Sequence, residues 1–305
     1  MTDYNKSPKT TEELIALLKT KDIQCSDEIK STKRLQNISY YKLSGYKKAI
    51  DSPKTLEEII HSYELDMDLR VAVLGLLAYY EIALKNSFVQ ISLNIEESDI
   101  SPYPKSHFYL SKTLFKTIPF SDNLDRLTKD IKNNYPKLAF IDFYKKKYDS
   151  PELPPIWMII ELMSFGDICK WITSINHRKY INIIPNKFGF KNITEFNNVV
   201  ITCTTLRNMC AHHARLYNNN IYGTRIPLDG VPDKLKNILK DKGLHKKLWN
   251  VIVLVIYSLN NINHKRETDY FIDTFKFIFS EYGNNKHQSY AFPNNWYDQL
   301  KSLAE

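Results

Sequence analysis

The stretch Thr55–Ile95 constrains this chain more than any other. Its apolar residues Leu65, Leu69, Val73, Leu76, Leu77, Tyr80, Leu84 and Phe88 recur every three or four positions. That spacing puts them on one face of a helix. Thr55 followed by Glu58 is a capping-box pattern, which fixes where the helix begins. Glu81 and Lys85 stand one turn apart and can pair across it. A chain containing so long a helix must assemble its other elements around it.

The remaining sequence also favours helices. There are 8 glycines in 305 residues, too few for the glycine-rich turns of dinucleotide-binding sheets and phosphate loops. No period-two strand pattern stands out. Helices are predicted over Thr11–Lys19 (capped by Thr10 or Thr11), Asp27–Asn37, Leu124–Asn133, Thr194–Leu216, Lys234–Lys240, Leu244–Asn261 and Asp269–Tyr282. Pro151, Pro154 and Pro155 break the chain before a helix predicted over Ile156–Ile175. The tyrosine-rich segment Ile38–Tyr46 turns and enters a helix or a short ribbon. Residues 97–123 read as a connecting segment. The fold class expected is all-α. No internal repeat or shift in composition divides the chain, so 1–305 is expected to form one domain.

The net charge of +8 suits contact with a polyanion or an anionic membrane surface, and it also suits a lysine-rich proteome. The cysteines Cys25, Cys169, Cys203 and Cys210 are too few and scattered for a disulfide framework. Met1–Asn5 opens no signal-peptide apolar run, and Leu248–Leu259 is too short to span a bilayer. A cytoplasmic protein without membrane contact is expected.

The chemistry-bearing stretch runs from Leu206 to Asn218. On a continuous helix, Val199, Cys203, Leu206 and Cys210 form an apolar face, with His213 near its edge. Asn208, His212 and Arg215 form a polar stripe opposite, with Arg207 beside it. His212 is therefore the expected reactive histidine, and His213 a packed or hydrogen-bonded support. These residue types suit RNA cleavage without metal. The 2′-OH attacks the adjacent phosphate, histidine moves protons, and arginine grips the phosphate and its growing charge. Asn208 can steady the histidine or a phosphate oxygen. DNA lacks the 2′-OH and is not a substrate for this chemistry. Arg207 and His212 lie about 140° apart on a regular helix. A symmetric dimer could pool two copies of each in one cleft. The same residue types also occur on inert polar helix faces. Cys203, Cys210, His212 and His213 match no common zinc spacing, so no metal or cofactor is expected. Lys145, Lys146 and Lys147, flanked by Tyr144 and Tyr148, form either an RNA-binding patch or a solvated loop.

Arg207-Asn208-Met209-Cys210-Ala211-His212-His213-Ala214-Arg215-Leu216-Tyr217-Asn218 resembles the signature of the Abi-like family, relatives of abortive-infection proteins D and F within the HEPN superfamily. Three further stretches resemble it in order. They are Ile38–Tyr46; Tyr63–Lys85 with Asp66, Leu69, Arg70, Glu81 and Lys85; and Pro154-Pro155-Ile156-Trp157 with Glu161, Ser164, Phe165 and Gly166. The resemblance is strongest over 30–220. Tyr217 departs from the tryptophan expected there but keeps an aromatic ring.

The resemblance implies a HEPN-type helical bundle with additional N- and C-terminal helices, and a homodimer. It implies a metal-independent endoribonuclease toxin of an abortive-infection or toxin–antitoxin system, and some relatives resemble toxins held in check by a small structured antitoxin RNA. Carried onto this chain, Arg207 and His212 are catalytic, Asn208 assists and His213 is a secondary candidate. Arg215 and Lys145–Lys147 would contact RNA. Arg70, Glu81 and Glu161 are expected in salt bridges between helices. The competing expectations are a HEPN scaffold that binds RNA without cutting it, and a structural partner in a defence operon.

Overall fold

The computed structural model describes residues 7–191, 193–223, 226, 231–239, 246–283 and 285–303. The opening segment Met1–Asn5, Lys240 and residues 244–245 of two expected helices lie outside these. Helices α1 to α7 span Thr11–Lys19, Glu28–Asn37, Tyr40–Ala49, Leu56–Asn94, Glu97–Ile100, Thr117–Asn134 and Ala139–Lys147. Helices α8 to α15 span Ile156–Ile159, Phe165–Ser174, Ile183–Lys187, Ile193–Ala211, Asp233–Lys236, Leu248–Asn260, Lys265–Tyr282 and Trp296–Ser302. The fold is all-α. Among the described residues, extended pairing is limited to isolated bridges, Gln24 with Thr55 and Phe115 with Ile175.

Helix α4 is the mast of the structure. Its 39 residues extend about 58 Å at 1.5 Å per residue. Thr55 accepts from the Glu58 backbone N–H and Glu58 reaches back to the Thr55 N–H, so the capping box forms as its sequence predicts. Helices α3, α9, α10, α11, α13 and α14 all pack against α4. The residues of its predicted apolar stripe, from Leu65 to Phe88, are fully buried. Burying a side chain of this kind contributes roughly 1.5–3 kcal/mol. Helix α13 is apolar all round, and Val251 to Ile256 are buried without interruption. That pattern belongs to a core helix, which is how α13 is used here.

Several elements depart from the periodicity reading, and three of them bear on the site or on the helices around it. The segment from Ile156 is not one helix: α8 ends at Ile159, a 3-10 turn follows over Ile160–Leu162, and α9 restarts at Phe165. Ser164 accounts for the restart. It accepts from the Asp167 backbone N–H, and the Asp167 carboxylate accepts from Ser164 N–H, a capping box within a largely apolar stretch. Residues 97–123 are not a bare connector, because α5 and two 3-10 turns occupy them and α6 already begins at Thr117. The third departure is the end of α11, where the site lies.

Candidate functional site

Helix α11 buries Val199, Cys203, Leu206 and Cys210, the apolar face its sequence predicts. It ends at Ala211 instead of continuing to Leu216. His213 adopts the left-handed conformation, with φ of 57°. Ala214 N–H then reaches back to the Met209 carbonyl at 2.8 Å, and His213 N–H to the Cys210 carbonyl at 3.1 Å. This pair of bonds is a Schellman cap, a role usually given to glycine. The continuous-helix projection placed His213 at the edge of the apolar face. The structure exposes its side chain, and its support of the helix comes from its backbone.

His212 closes the last helical turn. Its N–H donates to the Asn208 carbonyl at 2.9 Å and its imidazole is exposed. It therefore keeps the helical phase, with Arg207 well round the axis. No hydrogen bond or ring contact among the described residues joins the two side chains. Arg207 instead meets groups on its own helix and on α4. Its Nη1 donates to Asn208 Oδ1 at 3.1 Å, and its Nε lies 3.8 Å from Glu81 Oε2. Glu81 also pairs with Lys85 at 3.2 Å, as the sequence predicts. The Arg207 side chain remains 34% exposed, so its guanidinium is held at one edge and open at another.

The chain beyond the cap is fixed from beneath by a buried charge. Asp66 and Arg70, on α4, form an ion pair with side chains 0% and 1% exposed. The Asp66 carboxylate also accepts from the Tyr46 hydroxyl, from Leu216 N–H at 3.0 Å and from Tyr217 N–H at 2.8 Å. Arg70 donates to the Ala214 carbonyl at 3.3 Å. Burial pushes the Asp66 carboxyl above its ordinary range, while Arg70 and the other donors oppose that shift. The Tyr46 hydroxyl, the two backbone N–H groups and Arg70 Nη1 all meet the Asp66 carboxylate, which offsets part of the desolvation of the pair, while Arg70 Nε stays without a hydrogen-bond partner among the described residues. Asp66, Arg70 and Tyr46 thus hold the loop that follows His212. Spacing alone gave Asp66 no role in the loop, because the Leu216 and Tyr217 N–H groups it holds lie about 150 residues away along the chain.

Several expected site residues are placed differently. Arg215 lies past the helix, so it does not share a helical stripe with Asn208 and His212. One of its N–H groups donates to the Tyr217 carbonyl. Lys145, Lys146 and Lys147 form the last turn of α7, not a loop, where their charge complements the helix C-terminus. Lys146 pairs with Asp142 at 2.7 Å, Lys145 lies over the Tyr135 ring, and Lys147 over the Phe143 and Tyr148 rings. Tyr144 is buried, with its hydroxyl on the Pro151 carbonyl, so it offers no stacking face. No hydrogen bond or ion pair among the described residues links these lysines to Arg207 or His212. Glu161 is exposed and has no ion partner among the described residues, so the expected salt bridge is absent there. No cluster of metal-ligating side chains occurs among the described residues.

Beside Glu81, one face of α4 is apolar and open. Val71, Ala78, Ile82 and Leu93 follow helical spacing and all are exposed, Val71 and Ile82 by more than 60%.

A family model described as Abi-like protein matches residues 33–218. The chain belongs to the Abi-like family. This membership suggests a part in abortive infection. The match takes in α3, α4, the α8–α9 segment and α11, and it ends at Asn218, within the loop that Asp66 holds. Helices α13, α14 and α15 of this Abi-like chain lie beyond it. Neither the curated proteins nor the solved structures give a match.

Proposed function

We propose that this Abi-like protein is a metal-independent endoribonuclease toxin of the HEPN type, acting in a bacterial abortive-infection or toxin–antitoxin system. The observation that carries this reading is the exposed His212 at the end of α11, five residues after an Arg207 held at its edge by Glu81 and Asn208. In the proposed reaction, His212 accepts the proton of an RNA 2′-OH. The 2′-oxygen forms a bond to phosphorus, and the bond from phosphorus to the 5′-oxygen breaks. The leaving oxygen takes a proton, giving a 2′,3′-cyclic phosphate and a 5′-hydroxyl. Arg207 stabilises the charge that grows on the phosphate.

The separation of Arg207 and His212 within one chain favours a site completed by a second copy. The open face Val71–Ala78–Ile82 adjoins Glu81 and supplies an apolar surface for that copy. Arg215 and the α7 lysines are assigned to RNA contact, with either a substrate or a structured small RNA as partner. No helix of the structure is long and apolar enough to cross a membrane. The cytoplasm, where RNA substrates reside, is the proposed location.

The test is induced expression of wild type and His212→Ala in a bacterial host, followed by sequencing of RNA ends. Growth arrest with new cyclic-phosphate ends in wild type alone supports the reading. Identical behaviour of the two proteins, both soluble and folded, removes His212 from the reaction. RNA binding without cleavage would favour the scaffold alternative.

A further inference from the structure

The corner where α6 passes into α7 combines open aromatic rings with positive charge. From Lys132 to Tyr148 the chain carries five lysines against one carboxylate, that of Asp142, with Asp130 and Asp149 just outside. Lys146 holds Asp142 at 2.7 Å, and among the described residues no ion pair engages Lys132, Lys137, Lys145 or Lys147. Three large rings of the same segment are open to solvent, Phe143 by 52%, Tyr148 by 45% and Tyr135 by 39%. Each has a lysine ammonium over it. Lys145 lies 5.5 Å from the Tyr135 centroid, and Lys147 lies 5.2 Å from that of Phe143 and 5.4 Å from that of Tyr148. The corner is anchored from within. Ile141 and Tyr144 are buried, the Tyr144 hydroxyl donates to the Pro151 carbonyl, and the Tyr148 ring packs on that of Tyr144 at 5.2 Å. Tyr135 and Phe143 have no other ring against them among the described residues.

Single exposed apolar side chains are ordinary, but three rings interleaved with cations on one corner form a patch with a chemistry. An open ring offers a face on which a base can stack, and an ammonium beside it can meet the phosphate next to that base. Bases inside a duplex are stacked on each other, so the partner must be unpaired. A membrane surface fits less well. It calls for a helix with an apolar face to bury, and here Ile141 points inward while every exposed large apolar side chain of the segment is aromatic.

We propose that Tyr135, Phe143 and Tyr148 stack unpaired bases of the RNA substrate, while Lys137, Lys145 and Lys147 take its phosphates. This rests on the RNA-directed reading given above, and extends its lysine contacts to named rings and to single strands. Binding is read apart from cleavage, so the test uses His212→Ala, which leaves RNA intact under the proposed mechanism.

Full-length His212→Ala protein is titrated with a fluorescent single-stranded oligoribonucleotide of roughly ten nucleotides, within the range one such groove holds. Stacking tolerates any base, so a mixed sequence serves. The same sequence as a duplex and anionic phospholipid vesicles are titrated beside it. The single strand should bind saturably. Phe143→Leu, which keeps an apolar side chain and removes the ring, should weaken that binding about tenfold, and Phe143→Trp should retain it. Duplex binding should be weaker and should not respond to Phe143→Leu. Lys147→Ala should flatten the slope of log affinity against log salt by about 0.7, the share of one phosphate on a single strand. Phe143 and Lys147 are exposed, and thermal unfolding checks that the variants fold. Absence of single-strand binding, single-strand binding that Phe143→Leu leaves unchanged, or binding to vesicles alone overturns the proposal. A protein that binds through Phe143 but cuts no RNA in its wild-type form keeps this surface and loses the nuclease reading. One that cuts RNA and binds it without regard to Phe143 does the reverse.

Discussion

Two single residues decide the local geometry of the site. Asp66 collects Arg70, Tyr46 and the N–H groups of Leu216 and Tyr217 in a fully buried position. Asp66→Ala strands Arg70 and frees the loop. Breaking a buried ion pair in this way costs about 3–5 kcal/mol, which urea denaturation will read. An unchanged midpoint would mean that the pair does not hold the loop. His213 carries the left-handed cap. His213→Gly should leave stability unchanged or raise it by up to about 1 kcal/mol, because glycine adopts that conformation without steric cost. His213→Val should lower the melting temperature. RNA cleavage retained in the glycine variant measures what the His213 imidazole itself adds.

At the scale of elements, the buried faces predict thiol chemistry. Burial pushes the Cys169 thiol up, the Cys203 thiol well up and the Cys210 thiol to about 12. The thiolate is the reactive form, so a thiol reagent at pH 8 should label Cys25 alone in the folded protein and all four cysteines after denaturation. Rapid labelling of Cys203 would contradict the α11 packing. These faces were legible because helical periodicity is written directly in Val199, Cys203, Leu206 and Cys210. The ends of elements were less legible. Thr55 and Glu58 announce α4 because a non-helical stretch precedes them. Ser164 is hidden inside a largely apolar stretch, so the break before α9 does not show in the spacing. The end of α11 was missed because a histidine, not a glycine, takes the left-handed position. Helices α10 and α15 are short, and their stability comes from tertiary packing more than from a pattern of their own.

At the scale of the whole molecule, the all-α class and the central place of α4 followed from composition and one long periodic stretch. The candidate site was legible in part. Arg207, Asn208 and His212 could be named from residue chemistry, but the Asp66 clamp joins residues far apart in the chain and needed the fold. The proposed dimer makes a prediction at this scale. Ile82→Glu places a charge in the open apolar face beside Glu81, and it should shift the protein from dimer to monomer in sedimentation and lose cleavage with it. A wild-type monomer that cleaves RNA would contradict the composite site. Metal-independent cleavage at His212 is tested by incubating purified wild type and His212→Ala with RNA in excess chelator and determining the chemistry of the ends. Wild type should leave 2′,3′-cyclic phosphate and 5′-hydroxyl ends, and the variant none. Equal cleavage by both proteins, or cleavage that stops when metal is removed, would contradict it.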